Sequence, residues 1–68
     1  MTLLAEQWAC ALFLDEGNDL WFVNRIGRAS WEWESAGLVG PRHEVYRAAN
    51  QISQLLRMAA HTLITAVE

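Results

Sequence analysis

The chain has 68 residues, a formal net charge of −3, no lysine and one cysteine, Cys10. This length supports one domain at most, and a lone cysteine excludes an internal disulfide and is expected to be a buried small hydrophobe. A mildly acidic chain lacks the basic patch of a nucleic-acid binder, and no apolar run approaches the ~18 residues that span a bilayer. We therefore expect a cytoplasmic protein that contacts neither nucleic acid nor a membrane.

The first segment, residues 2–16, predicts a helix. Alanine, leucine, glutamate and glutamine are frequent in it, and all four have high helix propensity. Leu4, Trp8 and Leu12 would share one face of this helix. Gly17 follows at a place where helices commonly end in a left-handed residue.

The second segment, residues 19–36, admits two interpretations. An apolar series recurs at helical spacing, which favours a second helix whose buried face it forms: Phe22, Ile26, Ala29, Trp33 and Ala36. The alternative is a short hairpin at 20–34 that turns around Gly27, because the sequence on either side of this glycine has strand-like composition. We predict the helix, and the hairpin would make the fold α+β.

A regular apolar series predicts a third and longest helix, residues 41–67. The intervals alternate between 4 and 3 residues, and only an α-helix places such a series on one face. Its members are Val45, Ala49, Ile52, Leu56, Ala59, Leu63 and Ala66. Gly37 and Pro41 separate this helix from the preceding segment, and proline is favoured in the first turn of a helix.

Short connections between the three segments predict an all-α fold, a three-helix up-down-up bundle that forms one domain over residues 1–68. The third helix would be longer than the second and would extend past it. The apolar residues of this extension are Ala59, Leu63, Ile64 and Val67. Since a continuous apolar patch needs a cover, we expect the protein to form a homodimer through these residues.

No residue pattern predicts catalysis, a cofactor or a metal ion. The glycines match no phosphate-binding loop, and no nucleophile and base stand at a recognisable spacing. His43 and His61 would lie at opposite ends of one helix, and Cys10 has no companion at ligand spacing. We therefore expect a protein that is not an enzyme and that binds neither cofactor nor metal.

The second predicted helix would present Trp31 to solvent, on the side opposite its buried face. Gly27 would lie one turn earlier and leave a notch beside the indole, with Asn24 and Arg28 adjacent. Tryptophan and arginine are enriched at binding hot spots. We therefore predict that Trp31, Arg28, Asn24 and Gly27 contact a protein partner.

Three short motifs resemble a set of short, uncharacterised bacterial proteins. They are Trp8-Ala9-Cys10-Ala11, Asp19-Leu20-Trp21-Phe22 and Ala36-Gly37. The interval between the second motif and the third is longer here than in that set. The resemblance implies a helical fold and no particular activity.

Two functions of different classes remain open. The first is a small protein–protein interaction module that inhibits a larger partner, of the kind that phages and mobile elements encode, such as anti-CRISPR proteins. The alternative is a helix-turn-helix DNA-binding regulator, whose recognition helix would follow Pro41 and carry Arg42, His43 and Arg47. The acidic net charge favours the first function.

Overall fold

The computed structural model describes residues 1–60 and contains a β-sheet with one helix, so the predicted all-α helical bundle is wrong. Its elements are β1 (Thr2–Glu6), β2 (Cys10–Leu14), β3 (Asp19–Arg25), β4 (Trp31–Val39), α1 (Arg42–Leu55) and β5 (Ala59–Ala60). The five strands form one sheet in the order β4-β3-β2-β1-β5, and every neighbouring pair is antiparallel. The first four strands form a meander, and α1 then carries the chain across the sheet to β5.

Strands β1 and β2 replace the helix predicted for 2–16. Cys10, Leu12 and Leu14 face α1, while Ala11 and Phe13 of the same strand face the opposite side of the sheet. Both sets are apolar because β2 is the central strand: α1 covers one side of it, and on the other side the large side chains of the neighbouring strands stand around Ala11 and Phe13. A strand that is apolar on both faces lacks the polar–apolar alternation by which strands are recognised in a sequence.

A β3–β4 hairpin replaces the helix predicted for 19–36. The alternative hairpin at 20–34 is closer to the structure, in which the two strands are longer and span 19–39. Gly27 lies in the connection between them. Gly37 lies inside β4, with φ +75°, next to an irregularity in the strand register, and it does not end a helix.

Helix α1 begins at Arg42, one residue after the predicted start at Pro41, and it ends at Leu55 and not at residue 67. Arg57 takes a left-handed conformation with φ 55°, which stops the helix and reverses the chain. Met58 then enters the core, and Ala59 joins strand β5. The predicted dimer residues Leu63, Ile64 and Val67 lie outside the described residues.

The hydrophobic core lies between α1 and one face of the sheet. Val45, Tyr46 and Ala49 form the helix side, so the first half of the apolar series does face the core. The sheet contributes Leu4, Ala5, Cys10, Leu12, Leu14 and Leu20. Burial raises the pKa of the Cys10 thiol, in keeping with its prediction as a buried hydrophobe. Among residues 1–60, α1 covers this face only.

Candidate functional site

The side of the sheet that faces away from α1 is rich in aromatic residues, and we call it the open face. Residues that stand opposite one another in an antiparallel pair share a face. Phe13 stands opposite Trp21, Val23 opposite Trp33, and Arg25 opposite Trp31. The open face consists of Leu3, Glu6, Ala11, Phe13, Trp21, Val23, Arg25, Trp31, Trp33 and Ser35, with Trp8 of the β1–β2 loop at its edge.

A groove of about 320 Å³ runs over the open face. Its floor is formed by the small side chains of Ala11 and Val23, which are nearly buried although neither belongs to the core under the helix. Larger side chains stand around this floor: Leu3, Glu6, Phe13, Trp31 and Trp33. The ring centroids of Phe13 and Trp33 are 5.2 Å apart and the ring planes are tilted by 43°, so the two rings form a corner.

One edge of the open face is organised by Arg25, whose guanidinium lies between two indole rings. Its Cζ atom is 4.7 Å from the ring centroid of Trp8 and 4.1 Å from that of Trp31. Arg25 Nε donates a hydrogen bond to the carbonyl oxygen of Trp8 at 3.1 Å, and Nη1 donates to the carbonyl oxygen of Arg28 at 2.7 Å. We call this arrangement the arginine clamp. It connects the β1–β2 loop, β3 and the β3–β4 connection, and it fixes both rings.

The opposite edge is organised by Asp15 in the β2–β3 turn. Its Oδ1 atom accepts hydrogen bonds from the backbone N–H groups of Gly17 and Asp19 at 2.8 and 3.0 Å. Its Oδ2 atom accepts one from the indole Nε1 of Trp21 at 3.1 Å. These bonds, that of the Asp19 amide foremost, lower the pKa of the Asp15 carboxyl. The carboxylate therefore fixes both the turn and the Trp21 ring.

The structure separates the four residues predicted to contact a partner. Trp31 lies on the open face, 43% exposed. Gly27 and Arg28 lie in the β3–β4 connection, where Arg28 supplies its carbonyl oxygen to the clamp. Asn24 stands opposite Cys10 in the register and thus belongs to the other face of the sheet.

The helices predicted for 2–16 and 19–36 do not bring several residues of the open face together as a site. Trp33 is 49% exposed on the same face as Trp31, whereas the helical interpretation places it in the core. Phe13, Trp8 and Arg25 are likewise absent from the predicted partner-binding residues. The signal in the sequence that indicates this face is the two-residue spacing of a strand. Trp31 and Trp33 are two residues apart, as are Val23 and Arg25, and such pairs share one face of a strand.

The described chain is electrically polarised. Residues 1–40, which form the first four strands, contain six acidic and two basic side chains, a formal charge of −4. Residues 41–60 contain three arginines and one glutamate, a formal charge of +2. The acidic residues of the strand region are Glu6, Asp15, Glu16, Asp19, Glu32 and Glu34, and its basic ones are Arg25 and Arg28. The strand region is therefore negative and the region from 41 to 60 positive, although Glu32 and Glu34 lie on the same side of the sheet as α1.

Within residues 1–60 there is no cluster of three side chains able to hold a metal ion. None of the helices described there is long and apolar enough to cross a membrane. No family model matches the chain, and no curated protein or solved structure matches it either. The resemblance to short bacterial proteins stays a prediction, but the helical fold that it implied is wrong.

Proposed function

We propose that this protein is a small, non-enzymatic interaction module that docks a partner protein with a basic surface on its open face. The observation that carries this proposal is the exposure of large aromatic side chains on one side of the sheet. Trp8 is 76% exposed and Trp33 49% exposed, on a side that no element of residues 1–60 covers. Exposed apolar surface of this extent is typical of a protein-binding site.

The open face also has the composition and rigidity of a binding site. Tryptophan and arginine supply much of the energy at protein interfaces, and both occur here. The arginine clamp holds Trp8 and Trp31 before any partner arrives, which lowers the entropy lost on binding.

Charge favours a basic protein over the other candidate partners. The strand region as a whole carries −4, with Glu32 and Glu34 on the other side of the sheet, so a second copy that approaches through this region would meet a like net charge. The phosphate backbone of a nucleic acid would be repelled for the same reason. An inhibitor that occupies a basic nucleic-acid-binding groove is one form of this function. Dimerisation through Leu63, Ile64 and Val67 stays a separate prediction, whereas Ala59, the fourth residue of that set, pairs with β1 in strand β5 and does not lie on a helix.

The DNA-binding alternative requires a helix-turn-helix, and residues 1–60 do not contain one. A helix-turn-helix needs a helix on each side of the turn. Here strand β4 precedes Pro41, and α1 is the only long helix among the described residues. Arg42 and Arg47 therefore lie on a helix that packs across a sheet, without a supporting helix before it.

Site-specific photo-crosslinking in cells tests the proposal. The photoreactive amino acid p-benzoylphenylalanine, itself aromatic, replaces Trp33 on the open face. In a matched control it replaces Gln51, which is exposed on α1. We expect position 33 to form a covalent adduct with a basic protein, and we expect the additional change Trp31→Ala to abolish it. Equal adducts at both positions, or adducts at position 33 with a second copy or a nucleic acid alone, would contradict the proposal.

A further inference from the structure

We infer that the partner adds an extended segment to the outer edge of strand β4 and places its basic side chains opposite Glu32 and Glu34. This inference rests on the proposed function and names the part of the partner that the protein recognises. It follows from three observations on β4: its outer edge pairs with no described strand, one side of it carries two carboxylates, and the other side carries two indole rings.

The outer edge of β4 meets no other strand among residues 1–60, and we call it the free edge. The backbone N–H of Arg25 on β3 points away from β4, because it donates a hydrogen bond to the carbonyl oxygen of Ala9 at 2.8 Å. Arg25 stands opposite Trp31, so the two form a pair without mutual hydrogen bonds. The N–H and C=O groups of Trp31 therefore point toward the free edge, and by alternation those of Trp33 and Ser35 do so too.

A free edge of this kind binds an additional strand. Its outward N–H and C=O groups can exchange hydrogen bonds with an extended segment of another chain, which then continues the sheet. Strand β4 has nine residues and contains no proline. The regular part of its edge ends before Gly37, whose N–H donates a hydrogen bond to Ser35 Oγ at 3.1 Å. Residues 31–35 therefore offer the place for such a segment.

One side of the free edge carries two glutamates. Glu32 and Glu34 stand opposite Asn24 and Phe22 of β3, and Phe22 packs against the core under α1. Both glutamates are exposed, and neither forms an ion pair within residues 1–60. Residues of an added strand that stand opposite them would lie on the same side, and opposite charges in such cross-strand pairs are stabilising. Two basic residues at positions i and i+2 of the partner therefore suit this side.

The arginines of α1, on the same side of the sheet, do not neutralise these carboxylates. The Arg42 guanidinium lies over the ring of Tyr46, with Cζ 5.0 Å from the ring centroid, and Nη2 donates a hydrogen bond to the Tyr46 hydroxyl at 2.7 Å. Arg47 is exposed and forms no ion pair with either glutamate. Both carboxylates are thus available to a basic side chain of the partner.

The other side of the free edge suits apolar residues of the partner. Trp31 and Trp33 lie there, on the open face. The Arg25 guanidinium is already 4.1 Å from the ring centroid of Trp31, so a basic side chain beside this ring would meet a like charge. The segment that fits both sides therefore alternates basic and apolar residues.

A second copy of this chain is a poorer occupant of the free edge. Two β4 strands related by a two-fold axis at Trp33 would pair in the antiparallel sense and use the whole edge. This register places Glu32 of each copy opposite Glu34 of the other. Like charges directly opposite one another destabilise a sheet, so the glutamates oppose self-pairing and favour a basic strand.

Titration with the peptide acetyl-Lys-Val-Lys-Val-Lys-Val-amide, followed by backbone amide signals in NMR spectra, tests this inference. With a valine opposite Trp33, lysines stand opposite Glu32 and Glu34. We expect the amide signals of Trp31 and Trp33 to shift. Peptide at about ten times its Kd should slow the hydrogen exchange of these two amides about tenfold. The amides of Glu32 and Glu34, which already face β3, should exchange as before.

Two N-methylated peptides separate strand addition from simple charge attraction, because both keep every lysine charge. In the inferred register the valine N–H groups face β4 and the lysine N–H groups point away from it. N-methylation of the three valines should therefore raise the Kd at least about tenfold, since the hydrogen bonds to the free edge are lost. N-methylation of the three lysines, the matched control, should change the Kd less than about twofold.

A charge variant and a neutral peptide locate the electrostatic contribution. Glu34→Gln should weaken the lysine peptide about threefold, the effect of one cross-strand charge pair. It should leave acetyl-Gln-Val-Gln-Val-Gln-Val-amide unchanged, and this neutral peptide should bind the original protein more weakly than the lysine peptide does. Glu16→Gln is the matched control, because it removes the same charge from an exposed residue next to Gly17, between β2 and β3. It should change neither Kd.

Several results would overturn the inference. Equal losses with the two N-methylated peptides would mean that no strand is added, and equal effects of the two glutamate variants would mean that overall charge decides. No shift at about 10 mM peptide, which excludes a millimolar Kd, would also refute it. Failure of the proposed function is judged separately, by the adducts at position 33: a basic protein captured there while the peptide fails would keep the docking and refute the added strand.

Discussion

The arginine clamp should contribute measurably to the stability of the fold, and Arg25→Met tests this. Methionine keeps a long apolar stem but removes the guanidinium that lies between the rings of Trp8 and Trp31. The change also removes the two hydrogen bonds to the carbonyl oxygens of Trp8 and Arg28. The three chain segments that the guanidinium connects then have fewer links.

The magnitude follows from the energies of the interactions that methionine cannot make. Each cation–π interaction at an exposed site contributes about 0.5–1 kcal/mol, and each hydrogen bond contributes about 0.5–1.5 kcal/mol. Because Arg25 is half-buried and water replaces part of these bonds, we expect a decrease of about 2 kcal/mol in the free energy of unfolding. For a domain of this size, such a decrease lowers the Tm by about 8–16 °C.

Urea denaturation followed by circular dichroism measures this decrease. Arg28→Met is the matched control, because it removes the same formal charge while its backbone carbonyl stays in the clamp. We expect Arg28→Met to change the free energy of unfolding by less than about 0.5 kcal/mol. If both variants unfold at the same urea concentration as the original protein, the clamp contributes nothing and the reasoning is refuted.

Three further predictions concern the core, the turns and the strand register. Leu12 is fully buried in the core, so Leu12→Ala should lower the free energy of unfolding, measured by urea denaturation, by about 3 kcal/mol. Leu55 is 81% exposed, so Leu55→Ala should lower it by less than about 0.5 kcal/mol. Equal decreases in the two variants would contradict the sheet. Folding lowers the pKa of the Asp15 carboxyl, so its stabilising contribution is present above the unfolded-state pKa of about 4 and is lost as the pH falls through the lower folded-state value. Asp15→Asn should therefore lower the free energy of unfolding at pH 7, and the difference should shrink steadily as the pH falls below about 4; a difference that stays constant would refute the assignment. Gly37 has a φ of +75°, so Gly37→Ala should lower the free energy of unfolding, measured by thermal denaturation, by about 1 kcal/mol. In Gly27→Ala the new methyl group meets Ser30 at an ordinary van der Waals distance, so this variant should be nearly neutral. The reverse order would contradict the backbone conformation at these two glycines.

The part of the fold that could be predicted from the sequence is the start of α1 and its buried face. Pro41 and the spacing of Val45 and Ala49 are local signals, and the structure agrees with them. The end of the helix was not predictable in this way, because the apolar spacing continues past Leu56. The return of the chain to β1, through Arg57, places Ala59 in a strand and not on a helix.

The strands were missed because tertiary context overrode local propensity. Residues 2–16 are rich in helix formers, yet antiparallel pairing with β3 gives Leu12 and Phe13 burial on opposite faces of one strand. No local pattern indicates a strand that is apolar on both sides. The open face was missed with them, since Trp31 and Trp33 point in different directions on a helix and in the same direction on a strand.

The most direct test of the central claim is the variant Trp33→Ala, measured for both stability and binding. Trp33 is 49% exposed and contacts Phe13, so its removal should lower the free energy of unfolding by about 1–2 kcal/mol and leave the protein folded. Its affinity for the partner captured at position 33 should fall about 30-fold or more, as expected for a hot-spot tryptophan. Unfolding of the variant, or an unchanged affinity, would mean that the open face serves the fold and not a partner.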